Sequence, residues 1–274
     1  MVRSRRAKTA DRRNLIVGLL ILAGVATVSG LAWSMFRQAK REHPTLVAET
    51  ECPTAGPAGI TVVLVDRTDP ISPTTQLDLR NRLKDVAARM PKFGKLYLYA
   101  LDGASAGISQ PLFAKCNPGD ASTVDALRNN PAKAQQVFEH EFEKPLTASI
   151  AELTAANTGA ASPIMEAIQD AALTAFTDPD NKGAASKRLI VVSDFMQNSD
   201  HVSFYRTAVS RSPAAPQALA APLEGVEVGL LFIQRPDRSG PSIDELETVW
   251  RDYFVQSGVP SGRVRSVKLT GVNP

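Results

Sequence analysis

Two kinds of apolar pattern divide the chain. Leu15 to Phe36, LIVGLLILAGVATVSGLAWSMF, runs twenty-two residues without a charge. As a helix it extends about 33 Å, enough to cross a hydrocarbon core of roughly 30 Å once. From Ile60 onward the apolar residues come in short blocks instead: Ile60 to Val65, Lys95 to Leu101, Arg188 to Val192, Val226 to Ile233 and, more weakly, Val264 to Leu269. Continuous β-branched and aliphatic runs of that length are expected of strands covered on both faces, as in a parallel sheet.

Helical periodicity fills most gaps between these blocks. Ser72 and Pro73 read as an N-cap followed by proline at the first helical position, and Leu79, Leu83, Val86, Ala87 and Met90 then recur on one face. Ser162 and Pro163 repeat that start. Ser242 and Glu245 match a capping box ahead of a core stripe of Leu246, Val249, Trp250, Tyr253 and Phe254. Between Ala134 and Ala156, Val137, Phe138, Phe142, Leu146, Ile150 and Leu153 form another stripe, which Pro145 is expected to kink or divide. Lys95 to Leu101 and Gln110 to Lys115 are separated only by the glycine-containing Asp102 to Ser109, which predicts an antiparallel edge hairpin. Ser212 to Pro222, crowded with Ala, Pro and Gln, reads as a surface loop. The fold class is α/β: a doubly wound, mostly parallel sheet with an antiparallel edge hairpin, preceded by one transmembrane helix. The expected segments are a basic terminus (1–14), the transmembrane helix (15–36), a Pro- and Gly-containing stalk (37–58) and the α/β domain (59–274).

Charge gives the anchor a direction. Residues 1–41 hold nine Lys or Arg and one acid, net +8, so a chain of net +3 leaves about −5 for the remainder. A domain of that sign lacks the Lys/Arg surface that phosphate neutralisation requires, which argues against nucleic acid as a partner. Six of the cations precede the apolar stretch and Arg37, Lys40 and Arg41 follow it. That imbalance favours a cytoplasmic N-terminus and a periplasmic or extracellular domain. A cleaved signal peptide is the alternative, although signal cores are usually shorter, ~7–15 residues. Cys52 and Cys116, if joined, close a loop of about 65 residues worth roughly 4 kcal/mol in the chain-entropy model. The alternative is a pair of free thiols in a reducing compartment.

Ligands of such sheets bind beyond the carboxyl ends of the strands. Two apolar runs end there in aspartate: Val62–Val65 leads into Asp66-Arg67-Thr68-Asp69-Pro70, and Ile190–Ser193 leads into Asp194. Ser162 sits at a helix start between them. If the first and fourth strands are neighbours, the three groups converge.

The succession D-R-T-D-P, edge hairpin, S-P-I-M-E-A-I and V-V-S-D resembles a von Willebrand factor A domain over about Ile60 to Leu269. The resemblance implies a protein-binding module with no enzymatic activity. It also implies a magnesium or manganese ion held through Asp66 and Thr68, Ser162 and Asp194, with a carboxylate of another protein completing the shell. A hard ion that takes six oxygens and keeps water suits that set. Pro70 stands where the family has a third oxygen ligand, and Phe195 stands where Gly is frequent; Asp69 is an accessory candidate for the missing ligand. One alternative is a metal-free scaffold in a membrane assembly, recognised through helix faces or the loop around Pro213 to Pro222. Hydrophobic-D-x-T also resembles haloacid dehalogenase-like phosphohydrolases, in which Asp66 would be the nucleophile. No G-x-S-x-G, P-loop or H-E-x-x-H occurs, and three His with two Cys leave little for a zinc site.

Overall fold

The structure is a computed structural model that describes residues 3–42, 44–103, 108, 110–125, 129–154, 159, 161–206, 217–235 and 240–272. The chain forms two units, residues 1–45 and 46–274. The first is one helix, α1 (Arg3–Glu42), forty residues long. Within it Ile16–Arg37, with mean hydropathy 2.1, is long and apolar enough to span a bilayer. The Arg37 guanidinium lies 3.6 Å over the Trp33 ring at the end of this stretch, a pairing that suits an amphipathic boundary.

Of the residues expected as a stalk, 37–42 continue α1, while 46–58 are part of the second unit. Its first elements, β1 (Leu46–Val47) and β2 (Cys52–Pro53), form a small antiparallel hairpin. Cys52 is disulfide-bonded to Cys116, and the Cys116 N–H donates to Thr50 O at 2.8 Å.

The main elements follow as β3 (Gly59–Asp66), α2 (Pro73–Ala88), β4 (Gly94–Leu101), β5 (Phe113–Cys116), α3 (Pro131–Val137), α4 (Lys144–Leu153), α5 (Ile164–Phe176), β6 (Lys187–Ser193), β7 (Val226–Gln234), α6 (Ile243–Gln256) and β8 (Val264–Val272). The sheet order is β5-β4-β3-β6-β7-β8. Every pairing is parallel except β4 with β5, at the edge. β5 starts at Phe113, three residues later than expected, because Pro111 has no N–H for a ladder and only Leu112 begins the pairing, donating to Leu98 O.

The central strand β3 is buried along all eight residues, and its alternation feeds two cores. Val62 and Leu64 face a layer with α5 and α6 that includes Trp250, Tyr253 and Phe254; Val63 and Val65 face a layer with α2 and α4. Ala167, Ala171, Ala172 and Ala175 of α5 are fully buried, so small side chains bring that helix close to the sheet. Ser72 caps α2 by accepting from Thr75 N, and Ser242 with Glu245 forms a complete capping box on α6.

Three local expectations take a different form. The interruption expected at Pro145 is a π-helical stretch, residues 138–143, that separates α3 from α4. Pro145 cannot donate to the preceding turn, and Lys144 N reaches Glu139 O, one residue further back than in an α-helix. The wider turn shifts the apolar phase, so Phe142, Leu146, Ile150 and Leu153 are buried while Val137 is exposed. The segment 212–222 is not wholly a surface loop, since Leu219 and Ala221 are buried in the α5–α6 core; residues 212–216 lie outside the described residues. Ser162, finally, is not the N-cap of α5. That position is Pro163, with no side-chain bond, and Gln197 Oε1 instead accepts from Met165 N at 2.9 Å.

Candidate functional site

Asp66 and Ser193 end two adjacent parallel strands, one step beyond the pair Val65 and Val192. Period-two alternation turns both toward α5, because Leu64 and Val191 precede them on that face. Ser162 arrives from the loop before α5, where backbone bonds with Asn198 fix it: Ser162 N donates to Asn198 O at 2.9 Å, and Asn198 N donates to Ser162 O at 2.8 Å. Its hydroxyl points into the sheet rim instead of capping its helix.

These constraints surround one carboxylate. Asp66 Oδ1 accepts from Thr68 Oγ1 at 2.7 Å and Thr68 N at 3.1 Å. Its Oδ2 accepts from Ser162 Oγ at 2.8 Å and Ser193 Oγ at 2.7 Å. Asp66 is 7% exposed, and among the described residues no Lys or Arg forms an ion pair with it. Arg67 turns away, its Nη1 donating to Glu152 O and its Nη2 lying 3.9 Å from Asp102. The carboxylate is thus buried and satisfied by neutral donors alone.

Asp194 is held separately. Its Oδ1 accepts from Met196 N at 3.0 Å, and its Oδ2 accepts from Arg235 Nε at 2.9 Å, with both side chains at least nine-tenths buried. Arg235, directly after β7, also donates through Nη1 to Pro70 O at 3.1 Å and lies 3.9 Å from the half-exposed Asp69. It therefore ties the first and third rim loops together. Thr68, Asp69, Ser162, Asp194, Asn198 and Tyr205 are among the residues lining a shallow depression of about 270 Å³, with Tyr205 exposed at its edge.

All four predicted metal residues and the accessory Asp69 thus meet at one rim. Among the described residues no three His, Cys, Asp or Glu side chains converge, so an ion held here would depend on hydroxyls. Carboxylates and hydroxyls are all-oxygen donors, which fits magnesium or manganese and not zinc. The third family position is unfilled by a side chain, as expected from Pro70, whose carbonyl is engaged by Arg235. Phe195, where the family often has Gly, does adopt the left-handed backbone, with φ 62°. Its ring is buried against Phe232 and Trp250, at centroid distances of 4.2 and 5.4 Å. His140 and His201 are both exposed.

Two participants were not anticipated. Ser193 stood in the sequence one residue before the aspartate, disguised as the last residue of an apolar run. Arg235 also followed an apolar run, in I-Q-R-P, and a basic residue at a strand's carboxyl end was its signal. Gly103 and Gly159 are a third missed feature. A Cβ on Gly103 would lie 2.3 Å from Ala161 O, and one on Gly159 would lie 2.6 Å from Asp102 O. Both glycines are needed to close the loops over Thr68.

No protein-family model and no curated protein matches the sequence. Solved structures that resemble it include an aerotolerance-related membrane protein from Bacteroides fragilis, 13% identical, over 78% of this chain and 92% of that one, with a TM-score of 0.37. BatB from Bacteroides thetaiotaomicron is 14% identical over 77% and 90%, with a TM-score of 0.38. The ArnB paralog VWA2 from Sulfolobus acidocaldarius is 12% identical over 78% and 42%, with a TM-score of 0.36. In its parallel order, with a single antiparallel edge strand and rim loops converging on Asp66, the second unit is von Willebrand factor A-like in fold, and an N-terminal apolar helix precedes it.

Proposed function

We propose that this chain is a single-pass membrane protein whose domain lies on the periplasmic or extracellular side and binds another protein at the rim, without catalysing a reaction. In this reading Asp66, Thr68 and Ser162 hold a magnesium or manganese ion, Asp194 supports it from the outer shell and Asp69 is accessory. The observation that carries the reading is the buried Asp66 carboxylate, ringed by three hydroxyls and, among the described residues, without an ion-paired Lys or Arg. Those hydroxyls donate to the carboxylate, yet each keeps lone pairs with which to accept a cation's field. When bound, the ion would offer an open position to an acidic side chain of the partner.

Melting of the full chain in detergent micelles, with and without magnesium or manganese, tests this. At one hundred times Kd a ligand stabilises by ~2.7 kcal/mol, which for a domain of this size raises Tm by about 5–11 °C. Asp66→Asn, close in shape, should lose that gain. A wild type indifferent to both metals would favour the metal-free scaffold, for which Arg235 is the specific support, since its guanidinium already supplies positive charge to Asp194. Hydrolysis of p-nitrophenyl phosphate that disappears in Asp66→Asn would favour the phosphohydrolase. Against that alternative, Asp66 is buried and both its oxygens accept hydrogen bonds.

A further inference from the structure

The far end of the sheet from the rim carries a second surface that none of this explains. On the α2 side, α2 forms one wall and the start of β8 the other, leaving a cleft of about 590 Å³ floored by β6 and β7. It adjoins a second hollow of about 350 Å³, which Arg89, Arg188, Glu227 and Arg263 also line. Five arginines, at positions 82, 89, 188, 263 and 265, line the larger cleft; Arg82, Arg89 and Arg188 are ion-paired with Asp78, Asp85 and Glu227, and the exposed Arg263 and Arg265 add two further positive charges. This positive excess belongs to a stretch of chain that is net negative. The floor is apolar: Ile190 is 7% exposed, Leu231 is partly buried, and Val267 stands 42% exposed at the wall.

We infer that this cleft docks an acidic amphipathic segment of another protein, its carboxylates on the arginine rim and its apolar side chains on the floor. Guanidinium groups form bidentate bonds with carboxylates, so Arg263 and Arg265, beside the three internally paired arginines, favour acid side chains. Depth and an apolar floor are features that a segment with side chains can use and a flat bilayer surface cannot. The inference is independent of the metal reading, because the cleft lies at the opposite strand ends from Asp66.

Gly229 makes the test sharp. A Cβ built there finds only Ile190 Cγ1, at an ordinary contact distance of 3.8 Å, so the position accepts a side chain on the strand face that lines the cleft. The probe is a fluorescein-labelled helical peptide with Glu on one face and Leu on the other, followed by anisotropy against the full chain in detergent micelles. Wild type should bind it, more weakly at high salt. Gly229→Phe should weaken binding about tenfold or more by filling the floor, as should Arg263→Glu combined with Arg265→Glu, while Asp66→Asn should bind as wild type does. Equal binding of a peptide with Lys in place of Glu overturns the inference, and so does unchanged affinity of a Gly229→Phe protein that melts normally. Should Gly229→Phe not fold, the exposed double arginine variant decides, and retained binding overturns the proposal. If a peptide with Ser in place of Leu binds equally well and phosphatidylglycerol vesicles displace it, the surface reads lipid headgroups and the protein partner is overturned.

Discussion

Phe195 shows how a single residue holds the rim. A left-handed backbone costs a non-glycine residue roughly 1–2 kcal/mol, yet the side chain lies fully buried between Phe232 and Trp250. The Trp250 indole also donates to Phe195 O at 2.9 Å. Phe195→Gly therefore relieves the strain but removes an aromatic whose loss from a core costs about 3–5 kcal/mol. The expected outcome in urea unfolding is a net destabilisation of about 1–4 kcal/mol. Arg235 is the other decisive residue. Arg235→Gln strands the buried Asp194 charge, which should cost about 3 kcal/mol. Because the rim then carries one more net negative charge, magnesium should restore more of the lost Tm in this variant than it adds to wild type. No such rescue would separate Arg235 from the proposed ion site and leave it a structural clasp.

At the scale of elements, α2 and β8 are joined by one carboxylate. Asp78 Oδ2 accepts from Thr270 N at 2.7 Å and Oδ1 from Arg82 Nε at 3.0 Å. Partial burial pushes the Asp78 carboxyl up, but these hydrogen bonds and the Arg82 charge outweigh it, so its pKa lies below the ordinary aspartate value. A depressed folded pKa gives stability that is present above the unfolded value of about 3.9 and is lost as pH falls through the folded one. Acidification from pH 5 to about pH 3 should therefore lower Tm more in wild type than in Asp78→Asn, which at neutral pH should already be about 1–2 kcal/mol less stable. The strands and caps in this arrangement were legible in the sequence because local chemistry decides them: buried parallel strands need continuous apolar runs, and Ser242 with Glu245 satisfies helix N–H groups within four residues. Ser162 was not legible in the same way. Whether its hydroxyl caps α5 or reaches Asp66, ninety-six residues away in the chain, depends on strand neighbours and on Gln197 taking over the cap. The π-helical passage at 138–143 escaped for a similar reason, since Pro145 signals a defect in the hydrogen-bond ladder but not the form it takes.

For the molecule as a whole, the disulfide ties the proposed topology to a measurable stability. Cys52 lies in the hairpin that opens the domain and Cys116 ends the edge strand, with 64 residues of separation. Together they fasten the start of the domain to the edge of a sheet that would otherwise end in only four paired residues of β5. In the chain-entropy model a loop of this length is worth about 4 kcal/mol, or about 8–16 °C of Tm for a domain of this size. Dithiothreitol should lower the wild-type Tm by that amount and leave a Cys52→Ser, Cys116→Ser double variant unmoved at the lower value. The redox state of the same pair tests the proposed side of the membrane. A bridge of this kind persists in an oxidising compartment and is kept reduced in the cytosol. If the basic terminus holds the N-terminus inside, the cysteines of the full chain in intact cells should resist maleimide–polyethylene glycol until a reductant is added, and external protease should digest the domain in spheroplasts. Cysteines that react before reduction, together with protection from protease, would put the domain in the cytoplasm, and the proposed partner would then have to be sought on that side.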